Sequence, residues 1–260
     1  MKYWLSLAKS KLMYELYPGR LRQMRRFYSQ FVGDHGLCFD IGAHIGNRTR
    51  VLAKLGCDVI TVEPHPFLAN YLRRKFDSSP SVRVVEAAVG DVAGAATLHA
   101  SPAHLTVSSI KRDWVESLLA VRPHRIQFEE EHVVQVLTLD QLIEAYGMPK
   151  YIKIDVEGLD TAVLSGLSQA VDVISFEHLP HLFERTAEAL SILDSLAHYR
   201  HNFFTRESHR FCLDEPVGDA ELLKAVRRTV DRRTACDIFS FRVENQPGEG
   251  TESSLHRIVP

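Results

Sequence analysis

Leu37-Cys38-Phe39-Asp40-Ile41, followed by Gly42-Ala43-His44-Ile45-Gly46-Asn47, is the stretch on which the fold is decided. The first five residues are a short apolar run of the kind that forms a strand buried on both faces. Two glycines then interrupt it, and a helix is expected from Arg48 to Leu55, stopped by Gly56. Strand, glycine turn and helix make the opening unit of an α/β protein. The same alternation recurs along the chain. Strands are expected at Asp58–Glu63, Val82–Ala88, Tyr151–Glu157, Val171–Glu177, Phe203–Thr205 and Ile238–Val243. Between them lie helical patterns from Pro64 and Pro66 to Phe76, then Thr161–Leu167, Leu182–His198 and Ala220–Val230. The fold class that follows is α/β: a single Rossmann-like domain on a doubly wound, mostly parallel sheet with helices on both faces.

The alternation breaks between residues 91 and 150. A strand at Ala95–Ala100, a short helix at Trp114–Ala120 and a strand at His132–Leu137 precede a helix through Tyr146. Thr138 caps that helix, with Gln141 three residues on as a capping box. A plain crossover needs far fewer residues, so this insertion is a candidate substrate lid. The organisation expected is a basic helical extension over residues 1–30, the sheet domain over 31–244, and a polar, disordered tail over 245–260.

Composition narrows the class further. The 260 residues are 45% hydrophobic and 25% charged, with a net charge of −2, so no global field marks a nucleic-acid binder. The charge is uneven, however: residues 1–30 carry +6 and the remainder −8. A solvated basic helix packed on the domain accounts for this, and a peripheral membrane contact or a contact with an anionic substrate is the sharper alternative. No apolar run reaches the ~20 residues of a transmembrane helix, and none resembles a cleavable signal. The four cysteines, Cys38, Cys57, Cys212 and Cys236, form no CxxC pair, which fits reduced thiols in a cytoplasmic protein.

In open α/β sheets the ligand sits beyond the carboxyl ends of the strands. Four strand ends carry chemistry here. The first is the turn Asp40–Asn47, where Gly42 and Gly46 let the backbone approach a ligand and the following helix offers free N–H groups. Its GxxxG spacing lacks one glycine of the dinucleotide fingerprint, which suits a ligand with an amino acid end and no pyrophosphate. Ala43 and Asn47 lie in that turn as candidate binders. The second is Glu63, 23 residues after Asp40, placed to accept both hydroxyls of a ribose, with Pro64 beside it. Ala87 and Ala88 end the next strand and leave room for a flat ring.

Lys153-Ile154-Asp155-Val156-Glu157-Gly158 is the third. Strand alternation sends Lys153, Asp155 and Glu157 to one face, and three charges on one face of a central strand are costly unless paired or used. Phe176-Glu177-His178-Leu179-Pro180 is the fourth, with His178 a candidate base. No residue set is assigned to a metal, although two or three carboxylates could hold Mg²⁺ in a metal-assisted variant.

Taken in order, FDIGAHIGN, TVEPHP, EAAVGD, VLTLDQL, YIKIDVEGLD and ISFEH resemble the FkbM-type methyltransferases over residues 36–180. The resemblance implies a class I methyltransferase fold and S-adenosyl-L-methionine as cofactor. It also implies O-methylation of a hydroxyl on a small-molecule or glycan acceptor, such as a sugar or secondary metabolite. It puts Asp40, Gly42, Gly46 and Glu63 on the cofactor, and Asp155 and Glu157 near the transferred methyl. The base expected first is Asp155, assisted by Glu157, then His178, with Lys153 holding the carboxylates. Asp160 and His44 depart from the family's usual Glu and Asn, both mildly. Two other readings stay open: a non-catalytic binder of the same cofactor, and a nicotinamide-dependent oxidoreductase.

Overall fold

The computed structural model describes residues 2–14, 19–33, 35–105, 108–110, 127–205, 208–230 and 234–243. Strands β1 (Leu37–Ile41), β2 (Asp58–Val62), β3 (Val82–Val85), β8 (Tyr151–Ile154), β9 (Val173–His178), β10 (Tyr199–Thr205) and β11 (Cys236–Arg242) form one sheet, in the order β10-β11-β9-β8-β1-β2-β3. All its pairings are parallel except those of β11, which runs against both β9 and β10. The chain winds outward from β1 to β3, returns to β8 on the other side of β1, and winds outward again. The crevice between β1 and β8 is therefore the topological switch point, where such sheets bind ligands. This is the α/β class I methyltransferase architecture, read from the chain's own strand order.

Each face of the sheet is covered, as parallel strands require. Phe39, Ile41, Ile152, Ile154, Ile174 and Phe176 bury one face against helices α5 (Leu139–Tyr146), α6 (Asp160–Ser165), α7 (Phe183–Leu196) and α8 (Asp219–Thr229). Cys38, Val59, Tyr151, Val173 and Phe239 bury the other against α2 (Arg20–Tyr28) and α3 (Asn47–Lys54). Residues 38 and 39 falling on opposite faces is the period of two expected of a strand. Helix α4 (Pro66–Lys75) starts with His65 accepting from the Phe67 amide and Pro66 in its first turn. The capping box of α5 is formed by Thr138 and Gln141 as the sequence predicts.

The insertion builds a second, smaller sheet from β4 (Ala88–Val89), β5 (Gly94–Ala100), β6 (Ser108–Ser109) and β7 (Glu130–Leu137), ordered β4-β7-β5-β6. It stands beyond the carboxyl end of β3. The expected strand Val82–Ala88 is thus two strands, β3 in one sheet and β4 in the other. Within residues 1–30 the described residues form two helices, α1 (Lys2–Tyr14) and α2. The strand expected over Tyr151–Glu157 ends at Ile154, because Glu157 and Gly158 both adopt positive φ and turn the chain away. The helix expected at Trp114–Ala120 and the tail over 245–260 lie outside the described residues. No described helix is long and apolar enough to cross a membrane.

Candidate active site

The switch point opens into a cleft of about 1140 Å³, counted with its mouth. Its walls come from the turn after β1, the ends of β2 and β4, the loop after β8 and the small sheet. Of the residues singled out in the sequence, Gly42, Ala43, Asn47, Glu63, Pro64, Ala87, Ala88, Lys153, Asp155 and Glu157 line it. Asp40, Gly46 and His178 do not.

Those three have other partners. The Asp40 carboxylate turns under the glycine loop, where Oδ2 accepts from the amide of Thr49 (2.9 Å) and from its hydroxyl (2.5 Å). It ties α3 to β1. Gly46 is small for α4: a β-carbon there would lie 2.7 Å from Leu72 and 2.8 Å from Phe76. His178 is buried behind β9, with Nδ1 2.6 Å from the Thr186 hydroxyl and its ring edge-on to Phe183. It does not reach the cleft, because alternation along β9 turns Glu177 inward instead.

Glu63 shows how the turn and the second strand lock together. Its Oε2 accepts from the amide of His44 at 2.8 Å and its Oε1 from the amide of His65 at 3.0 Å. His44 meets it with a φ of +52°. Each carboxylate oxygen keeps lone-pair capacity for a ligand hydroxyl. Burial pushes this carboxyl up to about 7, against the pull of the two amides. Burial likewise holds the imidazoles of His44 and His65 down at about 4, so both are neutral near pH 7.

Across the cleft the loop after β8 carries the charges. Lys153 Nζ donates to Asp155 Oδ2 at 2.7 Å. Burial disfavours the Lys153 ammonium, but Asp155 outweighs it and raises the amine to about 12. Burial also pushes the Asp155 carboxyl up, and here Lys153 and Arg48 win and hold it below its ordinary value. Asp155 is the standing anion of the group. Glu157 is pushed up to about 8 by burial and by the negative charges of Asp155 and Asp160. Asp160 rises to about 7 for the same reasons, and Glu177 rises well above the usual carboxylate range. The carboxyls crowd together, and among the described residues only Asp155 holds a close cation.

Sequence reasoning missed Arg48, the wall residues Leu98, Leu105 and Ser108–Ile110, and the part played by His44. Arg48 sits one residue past the glycine turn and reaches Asp237 of β11 at 3.7 Å, a pairing that only the sheet order brings about. The small-sheet residues carry no motif.

Helix α1 closes one rim. Leu7 packs with Ile45, Leu68 and Leu105. Ser6 Oγ accepts from the Leu105 amide at 3.2 Å, and Ser10 Oγ lies 3.5 Å from His44 Nε2. Tyr3 stacks on Phe67 and bonds Glu130, while Lys2 pairs with Glu129 at 2.6 Å.

A buried amide oxygen gives a test of what the cleft can hold. Asn47 Oδ1, at the first turn of α3, is buried and has no hydrogen-bond partner among the described residues. It faces a helix N-terminus that suits a carboxylate, while the oxygen itself suits an ammonium. Glu63 suits a diol and the small Ala87 and Ala88 a flat ring. An amino acid joined to a nucleoside meets all of these groups.

A curated relative with a matching sequence is the hexuronic acid methyltransferase AglP of Haloferax volcanii, 21% identical over 165 residues, which are 60% of this chain and 63% of the relative. The match thus spans less than two thirds of that protein. Similar solved structures include an O-methyltransferase from Bacillus cereus in complex with SAH (13% identity, TM-score 0.45, covering 93% of this chain and 89% of that one). A TehB-like SAM-dependent methyltransferase from Corynebacterium glutamicum is comparable (13%, TM-score 0.44, 92% and 94%). These likenesses are distant, and the fold rests on the strand order instead. The model of the methyltransferase FkbM domain matches residues 40–204, well over half of the chain and every residue that lines the cleft. The chain belongs to the FkbM methyltransferase family.

Proposed function

We propose that the protein is an S-adenosylmethionine-dependent methyltransferase that methylates a hydroxyl of a sugar or similar small-molecule or glycan acceptor. The observation that carries this is the pairing of two strand ends across one cleft. Glu63 is held by two backbone amides on one side, and the Lys153–Asp155 pair with Glu157 stands on the other. S-adenosyl-L-methionine is the cofactor; it supplies a methyl group on a sulfonium centre and is left as a neutral thioether. Glu63 would hold its ribose, Asn47 and the first turn of α3 its amino acid end, and Ala87 and Ala88 its base.

The residues on this chain then have two tasks. The first is alignment, which supplies ~7–11 kcal/mol when acceptor and methyl are held in line. The small sheet forms the acceptor side of the cleft through Leu98, Ser108, Ser109 and Ile110, in the insertion over 91–150 that we assign as the acceptor wall. The second task is proton removal. Asp155, the first choice from sequence, is stabilised as an anion by Lys153 and is a weak base. Glu157, raised to about 8, is the better-matched acceptor for a hydroxyl proton. Asp155 positions Lys153 and keeps a negative charge in the cleft. That charge favours the cationic donor over the neutral product and so helps product leave.

A sugar acceptor is supported by the relative's name and by the polar, carboxylate-rich wall. If that acceptor carries a carboxylate as well as hydroxyls, the product is an ether or an ester, which mild base distinguishes. The four free cysteines fit the reducing, cytoplasmic setting expected from the sequence. Titration calorimetry with S-adenosylhomocysteine beside NADH tests the cofactor, and a screen of sugars with isotope-labelled donor tests the acceptor. Binding of NADH alone would favour the oxidoreductase reading. Binding of S-adenosylhomocysteine without turnover on any acceptor would favour a non-catalytic binder.

A further inference from the structure

Helix α1 has two apolar sides, and only one is used. The inner side, Tyr3, Leu7 and the serines 6 and 10, is packed on the cleft rim. Leu5 and Leu12 point away and Trp4 meets the body only edge-on at Phe67; the three are 60%, 65% and 61% exposed, half of the large hydrophobic residues the described surface leaves open. At 100° per residue, Trp4, Leu5, Ala8 and Leu12 fall within one outward arc. Lys9 and Lys2, the latter paired with Glu129, border that arc on one side and Lys11, over the Tyr71 ring, on the other. Helix α2 repeats the plan: Met24, Phe27 and Tyr28 are buried on the body, and Arg22, Arg25 and Arg26 are exposed.

We infer that the outer face of α1 docks on an anionic lipid bilayer, lying in the interface plane and setting the cleft mouth against the membrane surface. Charge complementarity selects this occupant. Residues 1–30 carry +6 while the rest of the chain carries −8, so the net positive charge lies in the segment that also exposes the apolar arc. An apolar arc with a tryptophan, flanked by lysines, is the composition of an in-plane interfacial helix. A self-associating face would gain nothing from the like-charged lysines that border it, and a nucleic-acid face would not need three exposed apolar side chains. The inner side of the same helix touches His44 and Leu105, both of which line the cleft. Docking therefore leaves the cleft about one helix diameter, ~10 Å, from the surface. Acceptors held at that surface would reach it without leaving the membrane.

The test is co-sedimentation of the full chain with phosphatidylcholine vesicles, with and without phosphatidylglycerol. Binding is expected only with the anionic lipid, weakening as salt is raised. Trp4→Ser with Leu5→Ser and Leu12→Ser should weaken it ~100-fold or more. Lys9→Glu alone should weaken it about tenfold or more without touching the apolar arc. In a Trp114→Phe background, Trp4 emission should shift to the blue on vesicles. Unchanged thermal melting separates loss of docking from loss of fold, and Lys9→Glu carries the test if the triple variant does not fold. Absence of wild-type binding, or binding that survives both variants, overturns the inference. So does an α1-dependent dimer or RNA complex in place of vesicle binding.

Discussion

The carbonyl oxygen of Asp155 lies 1.9 Å from the point where a β-carbon on residue 42 would sit. The glycine turn and the charged loop are therefore in backbone contact, and Gly42 serves that contact as much as any ligand. Its φ of +77° adds a second reason for glycine. Gly42→Ala should cost about 2–5 kcal/mol, from overpacking together with the left-handed backbone. Urea unfolding checks the loss, and affinity for S-adenosylhomocysteine should fall with it. A variant as stable as the parent would mean that the two loops can separate freely.

Glu157→Gln should lower kcat about 10²–10⁴-fold while leaving affinity for S-adenosylhomocysteine within a few-fold of the parent. The parent's rate should rise as pH increases through about 8, because Glu157 must lose its proton to act. The variant should lack that rise. If Glu157→Gln keeps the parent's rate and Asp155→Asn loses it, the base is Asp155.

Glu63→Gln should weaken S-adenosylhomocysteine binding by about 10- to 100-fold, the worth of hydrogen bonds to a charged acceptor. In the parent, affinity should fall as pH drops through about 7, where Glu63 takes up a proton. Calorimetry at several pH values reads both effects. PH-independent binding by the parent would remove Glu63 from the ribose.

Stability without ligand should fall as pH rises from about 6.5 towards 8, because below 6.5 the neutral His44 and His65 offset the carboxyls. Glu63, Glu157 and Asp160 have folded-state values raised above their unfolded ones, so the folded chain binds more protons in that window. Their contribution is complete at low pH and lost as pH climbs through the raised values. Thermal melting in a pH series measures it, and Glu157→Gln should flatten the slope. A melting temperature that climbs across the same window would mean that the carboxyls are relaxed by solvent.

Much of this site was legible because strand ends carry its chemistry. Leu37–Ile41 reads as a buried strand, and the polar residues that follow it have no reason to be there except a turn or a ligand. Glu63, Lys153 and Asp155 were found that way, and the capping box at Thr138 fixed the re-entry into the main sheet. The roles of Asp40, Gly46 and His178 were not legible. Each depends on a neighbour from another element, namely Thr49, Phe76 and Thr186, which no spacing announces. Arg48 escaped for the same reason, since its partner Asp237 is 189 residues away in sequence. The alternation argument for Glu157 reached the right cleft by the wrong route, because the strand had already ended.

The contacts of α1 also set a schedule. Lys2 meets Glu129 across 127 residues of sequence, and Ser6 meets Leu105 across 99. At ~5–20 residues per second, α1 waits roughly 6–25 s during synthesis before its last partner exists. Through that interval Trp4, Leu5 and Leu7 are all uncovered on one short, basic helix. The segment that finally closes one rim of the cleft thus stays open to capture, by a chaperone or by a membrane, while the chain is still being made.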